Sequence, residues 1–147
     1  MMKSRLLTAL TYISILSLTP FACANEAPPV SVSSLAREDV FALGGVGVAG
    51  TMSSGEESLR ELLKQADAGE QLQSLLKDAS PAGQLYALLG LRLRDRPVYE
   101  QAVSAFRKRS DIVSTMHGCI MTKEKMKSIV RQIERGDYDA ALNRVPR

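Results

Sequence analysis

The sequence is poor in the residues that mark disulfide scaffolds, aromatic binding surfaces and metal clusters. Its 147 residues include two Cys, one His and no Trp, and aromatic side chains make up only 5% of the chain. Two Cys exclude a small fold held together by several disulfides. Hydrophobic residues make up 45% and charged residues 24%, which is typical of a soluble globular protein and excludes wholesale disorder. The length fits one ordinary domain.

The first 24 residues have the pattern of a secretory signal peptide. Lys3 and Arg5 precede an apolar run that is shorter than the roughly 20 residues of a bilayer span. Ala22 and Ala24 then place small side chains three and one residues before a cut. We therefore expect cleavage after Ala24 and a mature chain that is periplasmic or secreted.

Cys23 offers an alternative route of export. A Cys shortly after an apolar run can become the lipidated first residue of a bacterial lipoprotein. Phe21 is bulkier than the small side chains that such a signal carries before its Cys. We therefore favour a mature chain that begins at Asn25 and keep a lipid anchor at Cys23 as the alternative.

The precursor divides into three predicted segments, which are the signal peptide (1–24), a flexible leader (25–38) and a single helical domain (39–147). Two prolines favour an extended leader, in which residues 30–32 have the pattern of a short edge strand. Residues 40–50 are apolar but include four glycines, so we expect a strand-like segment or a buried glycine loop there rather than a helix.

The rest of the chain carries helix start and stop signals. Ser53 and Glu56 form a capping box, and Ser80 followed by Pro81 marks another start. Residues 112–121 favour a strand or an ordered loop, and Gly136 closes the last long helix. We predict a mainly α fold, an irregular domain of about five helices in pairs with HEAT-like or TPR-like stacking as one arrangement. The expected helix starts are Ser53, Ser80, Asp95 and Thr122, and Gly69 ends the first helix or starts the second.

Charge divides the mature chain into two parts of opposite sign. Residues 25–85 hold 4 basic and 9 acidic side chains, and residues 86–147 hold 13 basic and 7 acidic ones. We favour two solvated faces that attract each other within one domain. The alternative is a basic face that binds an acidic partner. Nucleic acid is not expected as the partner of an exported chain with so few aromatic residues.

A glycine motif at residues 45–50 matches G-x-G-x-x-G. In a dinucleotide site such glycines let backbone amides approach a pyrophosphate at the start of a helix. Here the first helix-capping signal is at Ser53, after the motif has ended, and no βαβ unit follows. We therefore expect a sharply bent glycine segment and no bound cofactor.

Residues 116–121 hold the most informative side chains. His117 and Cys119 are the only His and Cys of the mature chain, and on an extended backbone residues 117, 119 and 121 point to one side. A Cys119–His117 pair for nucleophilic catalysis is one hypothesis, and a disulfide between chains is another. A third is a Cu(I) site in which Met116 and Met121, with Met126 as a further candidate, add soft ligands.

The interpretation that we favour for this segment is structural. It has Cys119 buried as a small apolar residue and His117 at a turn. No residue in the sequence marks an orienting partner for a catalytic pair. We therefore assign no catalytic residue and no metal ligand.

Three segments resemble a family of small exported bacterial proteins of uncharacterised role. They are residues 41–55 (FALGGVGVAGTMSSG), residues 80–92 (SPAGQLYALLGLR) and residues 117–121 (HGCIM). A member of this family is encoded in enterobacterial microcin gene clusters. The resemblance implies an accessory role near bacteriocin production or self-protection, and it implies no catalytic residues.

Taken together, these patterns predict an exported, non-enzymatic helical protein that binds another protein. The sequence contains no H-E-x-x-H, G-x-S-x-G or P-loop motif. The alternative is a periplasmic copper-binding protein that uses residues 116–121. The oligomeric state stays open.

Overall fold

A computed structural model describes residues 30–143. The predicted signal peptide, its cleavage site and Cys23 lie outside the described residues. The described chain forms seven helices and three strands in the order α1 (Val30–Ala36), β1 (Val40–Val46), α2 (Ser54–Leu63), α3 (Ala68–Asp78), α4 (Pro81–Arg94), α5 (Arg96–Phe106), β2 (Ile112–Gly118), β3 (Ile120–Lys125), α6 (Met126–Arg135) and α7 (Asp139–Leu142).

The fold is α/β, so the predicted mainly α domain of helix pairs with HEAT-like or TPR-like stacking is wrong. The three strands form one mixed sheet in the order β1-β2-β3. β1 runs parallel to β2, with Val40 opposite Ser114, and β2 runs antiparallel to β3. Helix signals are local in sequence, whereas the β1–β2 pair joins segments on either side of four helices. The apolar pattern of one strand alone therefore does not reveal its partner.

Two further predictions fail at the ends of the sheet. The segment that we expected as an edge strand in an extended leader is helix α1, whose Leu35 is fully buried. Thr122 does not cap a helix but lies within β3, and α6 begins four residues later at Met126. The starts at Ser53, Ser80 and Asp95 are confirmed, since each side chain accepts a hydrogen bond from a first-turn amide.

Helix α4 forms the centre of the core. All ten residues from Ala82 to Leu91 are buried, as expected for a helix surrounded by other elements. Two glycines allow close approach: a Cβ on Gly83 would lie 2.1 Å from the carbonyl oxygen of Leu35 in α1, and a Cβ on Gly90 would lie 2.8 Å from Leu72 of α3. On the sheet side, Tyr86 packs against Phe41 of β1 at 4.8 Å between ring centroids.

A buried carboxylate joins both ends of the described chain. Glu56 of α2 is 2% exposed and accepts hydrogen bonds from the amide of Gly44 at 2.7 Å and from Nη2 of Arg60 at 2.8 Å. The same Arg60 nitrogen donates to the carbonyl oxygen of Ala141 at 2.8 Å. Strand β1, helix α2 and helix α7 are therefore fixed to one another.

Between residues 30 and 143, no helix has both the length and the apolar character that a bilayer crossing requires.

Candidate functional site: the β2–β3 hairpin

The strands β2 and β3 form a tight hairpin at the edge of the sheet. Six cross-strand pairs run from Ile112–Lys125 to His117–Ile120. Gly118 and Cys119 make the two-residue loop, and Gly118 has a φ of +57°. Glycine adopts this conformation without steric strain, which explains why the chain can reverse here.

The reversal separates the residues that the sequence analysis grouped. Met116 and Met121 lie directly opposite each other. Consecutive strand residues point to opposite faces, so His117 lies on the other face from both methionines. The expectation that residues 117, 119 and 121 share one side is wrong because the backbone turns between them. Met126 is separate as well, since it is fully buried at the start of α6.

Cys119 is exposed at the loop and has no disulfide partner among residues 30–143. The expectation of a buried Cys119 is therefore wrong, whereas the turn beside His117 is present. Among residues 30–143, no group of three or more His, Cys, Asp and Glu side chains is arranged to hold a metal ion.

The inner face of the hairpin, which carries Val113, Thr115, His117, Ile120, Thr122 and Glu124, holds a polar network. Thr115 is fully buried, and its Oγ1 lies 2.8 Å from Oγ1 of Thr122 and donates to Oε1 of Glu124 at 2.9 Å. Gln132 of α6 donates to the other Glu124 oxygen at 3.1 Å. Tyr138 in turn donates to Gln132. This network fastens the hairpin to α6.

His117 borders this network. Its Nε2 lies 4.0 Å from Oε1 of Glu124, so Glu124 is the acidic neighbour that sequence reasoning missed. The two residues are seven positions apart in the sequence, and only the hairpin brings them together. The carboxylate oxygens of Glu124 already accept hydrogen bonds from Thr115 and Gln132. Glu124 therefore has a structural role, as a hydrogen-bond acceptor that joins β2, β3 and α6.

The buried end of the network also affects Tyr138. Burial is the main cause that raises the pKa of Tyr138, and the negative charges of Glu124 and Asp137 raise it further. Tyr138 therefore stays protonated and keeps its hydrogen-bond donor over the whole physiological pH range. The hydrogen bond from Tyr138 to Gln132 is therefore kept at neutral pH.

The outer face and the tip of the hairpin carry exposed apolar side chains. The exposed fractions are 56% for Ile112, 68% for Ile120 and 58% for Met121. Ile112 and Met121 lie on the outer face with Lys123 and Lys125, and Ile120 lies beside the loop. Exposed apolar side chains therefore lie at both ends of this element, with charged residues beside them.

The glycine motif lies next to the hairpin loop. Val46 and Thr51 pair across residues 47–50, and the amide of Gly47 donates to the carbonyl oxygen of Gly118 at 2.9 Å. A Cβ on Gly45 would lie 2.9 Å from the carbonyl oxygen of Gly50. The segment is thus a tight exposed turn, and α2 begins only at Ser54.

An open groove of about 370 Å³ lies between α5 and α6. Its charged residues already pair with one another, Arg96 with Glu100 and Arg107 with Glu134. The hydroxyl of Tyr99 is shielded from solvent. This groove therefore offers fewer free groups to a ligand than the hairpin does.

Comparisons with known proteins add no relative. No protein-family model, no curated protein and no solved structure matches the chain.

Proposed function

We propose that the mature chain is an exported, non-enzymatic α/β domain that binds another protein through the β2–β3 hairpin. The observation that carries the proposal is that Ile112, Ile120 and Met121 all expose apolar side chains on one element whose two strands are both held in place by their inner contacts. Buried contacts between apolar side chains supply much of the affinity at the centre of protein interfaces.

The rigidity of the hairpin supports this function. β2 is paired on both sides, and the Glu124 network joins the hairpin to α6. A preorganised element loses less conformational entropy on binding than a mobile loop does. The exposed side chains are therefore presented in a fixed arrangement.

Substitution of the hairpin tip tests the proposal. We expect the double variant Ile120→Lys, Met121→Lys to lose partner binding by about tenfold or more, because truncating or charging a central apolar contact costs about 2 kcal/mol or more. The measurement is capture from the native periplasmic extract, identification by mass spectrometry, and titration of the identified protein after its separate purification.

Leu93 supplies a matched control. Its side chain is 47% exposed near the end of α4, away from the hairpin, so Leu93→Lys adds the same kind of charge elsewhere. We expect this variant to bind the purified partner as the unchanged protein does. Equal affinities for the partner across all three proteins would contradict the hairpin as the binding element.

Export is a separate part of the proposal. The pattern from Lys3 to Ala24 supports cleavage after Ala24, and intact-mass spectrometry of the exported protein measures it. We expect a mass that begins at Asn25. A lipid-modified mass that begins at Cys23 would instead make the protein membrane-anchored, and an uncleaved mass would remove the case for export.

The process in which the partner acts is proposed from the resemblance alone. The resemblance of residues 41–55, 80–92 and 117–121 to exported proteins of microcin gene clusters supports an accessory role in microcin production or self-protection. Proteins of those processes are therefore the first candidates to test against the purified domain.

Copper binding is the competing function, and the geometry does not favour it. Met116 and Met121 lie on one face of the hairpin and His117 on the other. A copper stoichiometry near one in protein purified from the periplasm, lost on Cys119→Ala, would contradict the partner-binding proposal.

A further inference from the structure

We infer that the partner contributes an acidic extended segment, which adds to the sheet as a fourth strand along β3. This inference rests on the proposed partner-binding function and specifies its mode and chemistry. It follows from the free edge of β3, from the charges beside that edge, and from the poor fit of a second copy.

The edge of β3 is open within the described chain. The sheet order places β2 on one side of β3 and no strand on the other. Five of the six β3 residues are exposed, and only Glu124 is partly covered. An edge strand presents a row of backbone N–H and C=O groups that point away from the sheet and can pair with another extended chain.

The side chains beside this edge select for negative charge. Lys123 and Lys125 are exposed on the outer face of the hairpin, two residues apart. Glu124, the acidic residue between them, faces inward and is bound by Thr115 and Gln132. A strand that pairs with β3 therefore meets the ammonium groups of Lys123 and Lys125, while the carboxylate of Glu124 already accepts hydrogen bonds within the chain.

The register defines what each partner position should carry. Side chains on one face pair across an antiparallel ladder. Acidic residues opposite Lys123 and Lys125 form opposite-charge pairs, and an apolar residue opposite Met121 covers its exposed side chain. On the face that it shares with the lysines, the predicted segment therefore carries two acidic residues and one apolar residue at alternate positions.

A second copy of the chain fits this edge poorly. In an antiparallel pair of two β3 strands centred on Glu124, Lys123 of one copy faces Lys125 of the other, and the two glutamates face each other. Like charges directly opposite are destabilising, and lysines on an edge strand are a common device against self-pairing. The charge pattern therefore favours a different, acidic chain.

A synthetic peptide tests the inference on the full mature protein. The probe is the capped peptide Glu-Val-Glu-Val-Val, titrated against the protein by amide NMR. In an antiparallel pair its glutamates lie opposite Lys125 and Lys123, and its last valine lies opposite Met121. We expect saturable shifts and slowed amide hydrogen exchange at residues 120–125. A peptide with lysine in place of each glutamate should bind at least tenfold more weakly.

Two controls separate strand addition from simple charge attraction. N-methylation of alternate residues of the acidic peptide removes ladder donors and keeps every side chain, so we expect at least tenfold weaker binding. The variant Lys123→Glu, Lys125→Glu should also lose at least tenfold. The variant Lys77→Glu, Lys108→Glu makes the same charge change on exposed residues of α3 and of the turn after α5, and should change affinity by less than threefold.

The outcomes are decisive in both directions. Binding that needs the unmethylated peptide and the two β3 lysines supports the inference. No saturable binding of the acidic peptide, or equal binding of the N-methylated peptide, overturns it. If the apolar variant Ile120→Lys, Met121→Lys still abolishes capture of the natural partner in that case, strand addition fails and the proposed function stands.

Discussion

Gly83→Ala is expected to lower the free energy of unfolding by about 3 kcal/mol. The added methyl group would clash with a backbone atom, which cannot move aside as a flexible side chain can. The new Cβ would lie 2.1 Å from the carbonyl oxygen of Leu35 and 3.0 Å from Cβ of Ala79. Leu35 belongs to α1, whose end is already tied to α4 by the amide of Ser80, which donates to the carbonyl oxygen of Ala36 at 2.9 Å. The clash therefore pushes α1 off α4.

Gly69→Ala is the matched control. Gly69 lies in α3, and a Cβ there would meet nothing within 4 Å. Alanine is the better helix former, so we expect a gain of about 0.5 kcal/mol. Urea denaturation of both variants gives the two free energies, and amide hydrogen exchange shows whether α1 opens first in Gly83→Ala. Equal stabilities of the two variants would refute the close contact between α1 and α4.

Tyr86→Phe is expected to lower the free energy of unfolding by about 2 kcal/mol, because it removes one oxygen and leaves the buried amide of Ala42 without its partner. The carbonyl oxygen of Ala42 keeps the Ser53 hydroxyl as a donor at 2.7 Å. The Tyr86 hydroxyl accepts from the amide of Ala42 at 2.9 Å and donates to the carbonyl oxygen of Ala42 at 2.7 Å. It therefore fixes β1 on α4. Thermal or urea unfolding measures the loss.

Tyr99→Phe removes the same atom at a different site. The Tyr99 hydroxyl is buried and has no hydrogen-bond partner among residues 30–143, so we expect unchanged stability or a gain of up to about 1 kcal/mol. A loss in Tyr99→Phe as large as that in Tyr86→Phe would contradict the assignment of the Tyr86 effect to its hydrogen bonds with Ala42.

Alkaline pH gives a second readout for Tyr86. Burial raises the pKa of Tyr86 to about 12, above the value of about 10 in an unfolded chain. The unfolded chain therefore loses its proton first, and this contribution to stability is complete below pH 10 and declines as the pH rises towards 12. We expect the stability difference between the unchanged protein and Tyr86→Phe to shrink over that range.

The helices that were predicted correctly have local signals. Ser53, Ser80 with Pro81, and Asp95 satisfy amides of the turn that directly follows them, and Gly136 ends α6 at a φ of +82°. Each signal acts over a few residues, so one sequence is sufficient to find it.

Residues 40–50 and 112–121 carried strand signals, but β3 and the pairing of the strands had no comparable signal. β3 is an exposed edge strand rich in charged residues, so it lacks the alternating apolar pattern of a half-buried strand. Thr122 followed by the apolar residues of α6 has the pattern of a helix start, and this pattern led to the wrong boundary. The buried partner of Thr122 is Thr115 across the hairpin, a contact that exists only after the chain turns at Gly118.

The candidate site was located but not understood from sequence. Residues 116–121 do lie in an exposed element, yet the turn at Gly118 decides which side chains share a face. Gly118 between two apolar runs was the one available indication of a hairpin. The contribution of Glu124 depends on cross-strand and helix contacts, and no spacing rule predicts them.

The parallel pairing of β1 with β2 sets an order of events while the chain is synthesised from its amino end. Val40 emerges well before Ser114, its neighbour in the sheet, and the four helices between them emerge in the interval. Closing so long a loop is slow compared with forming helices. The sheet therefore stays incomplete until β2 has emerged, so the helices form before the strand that joins them to β1.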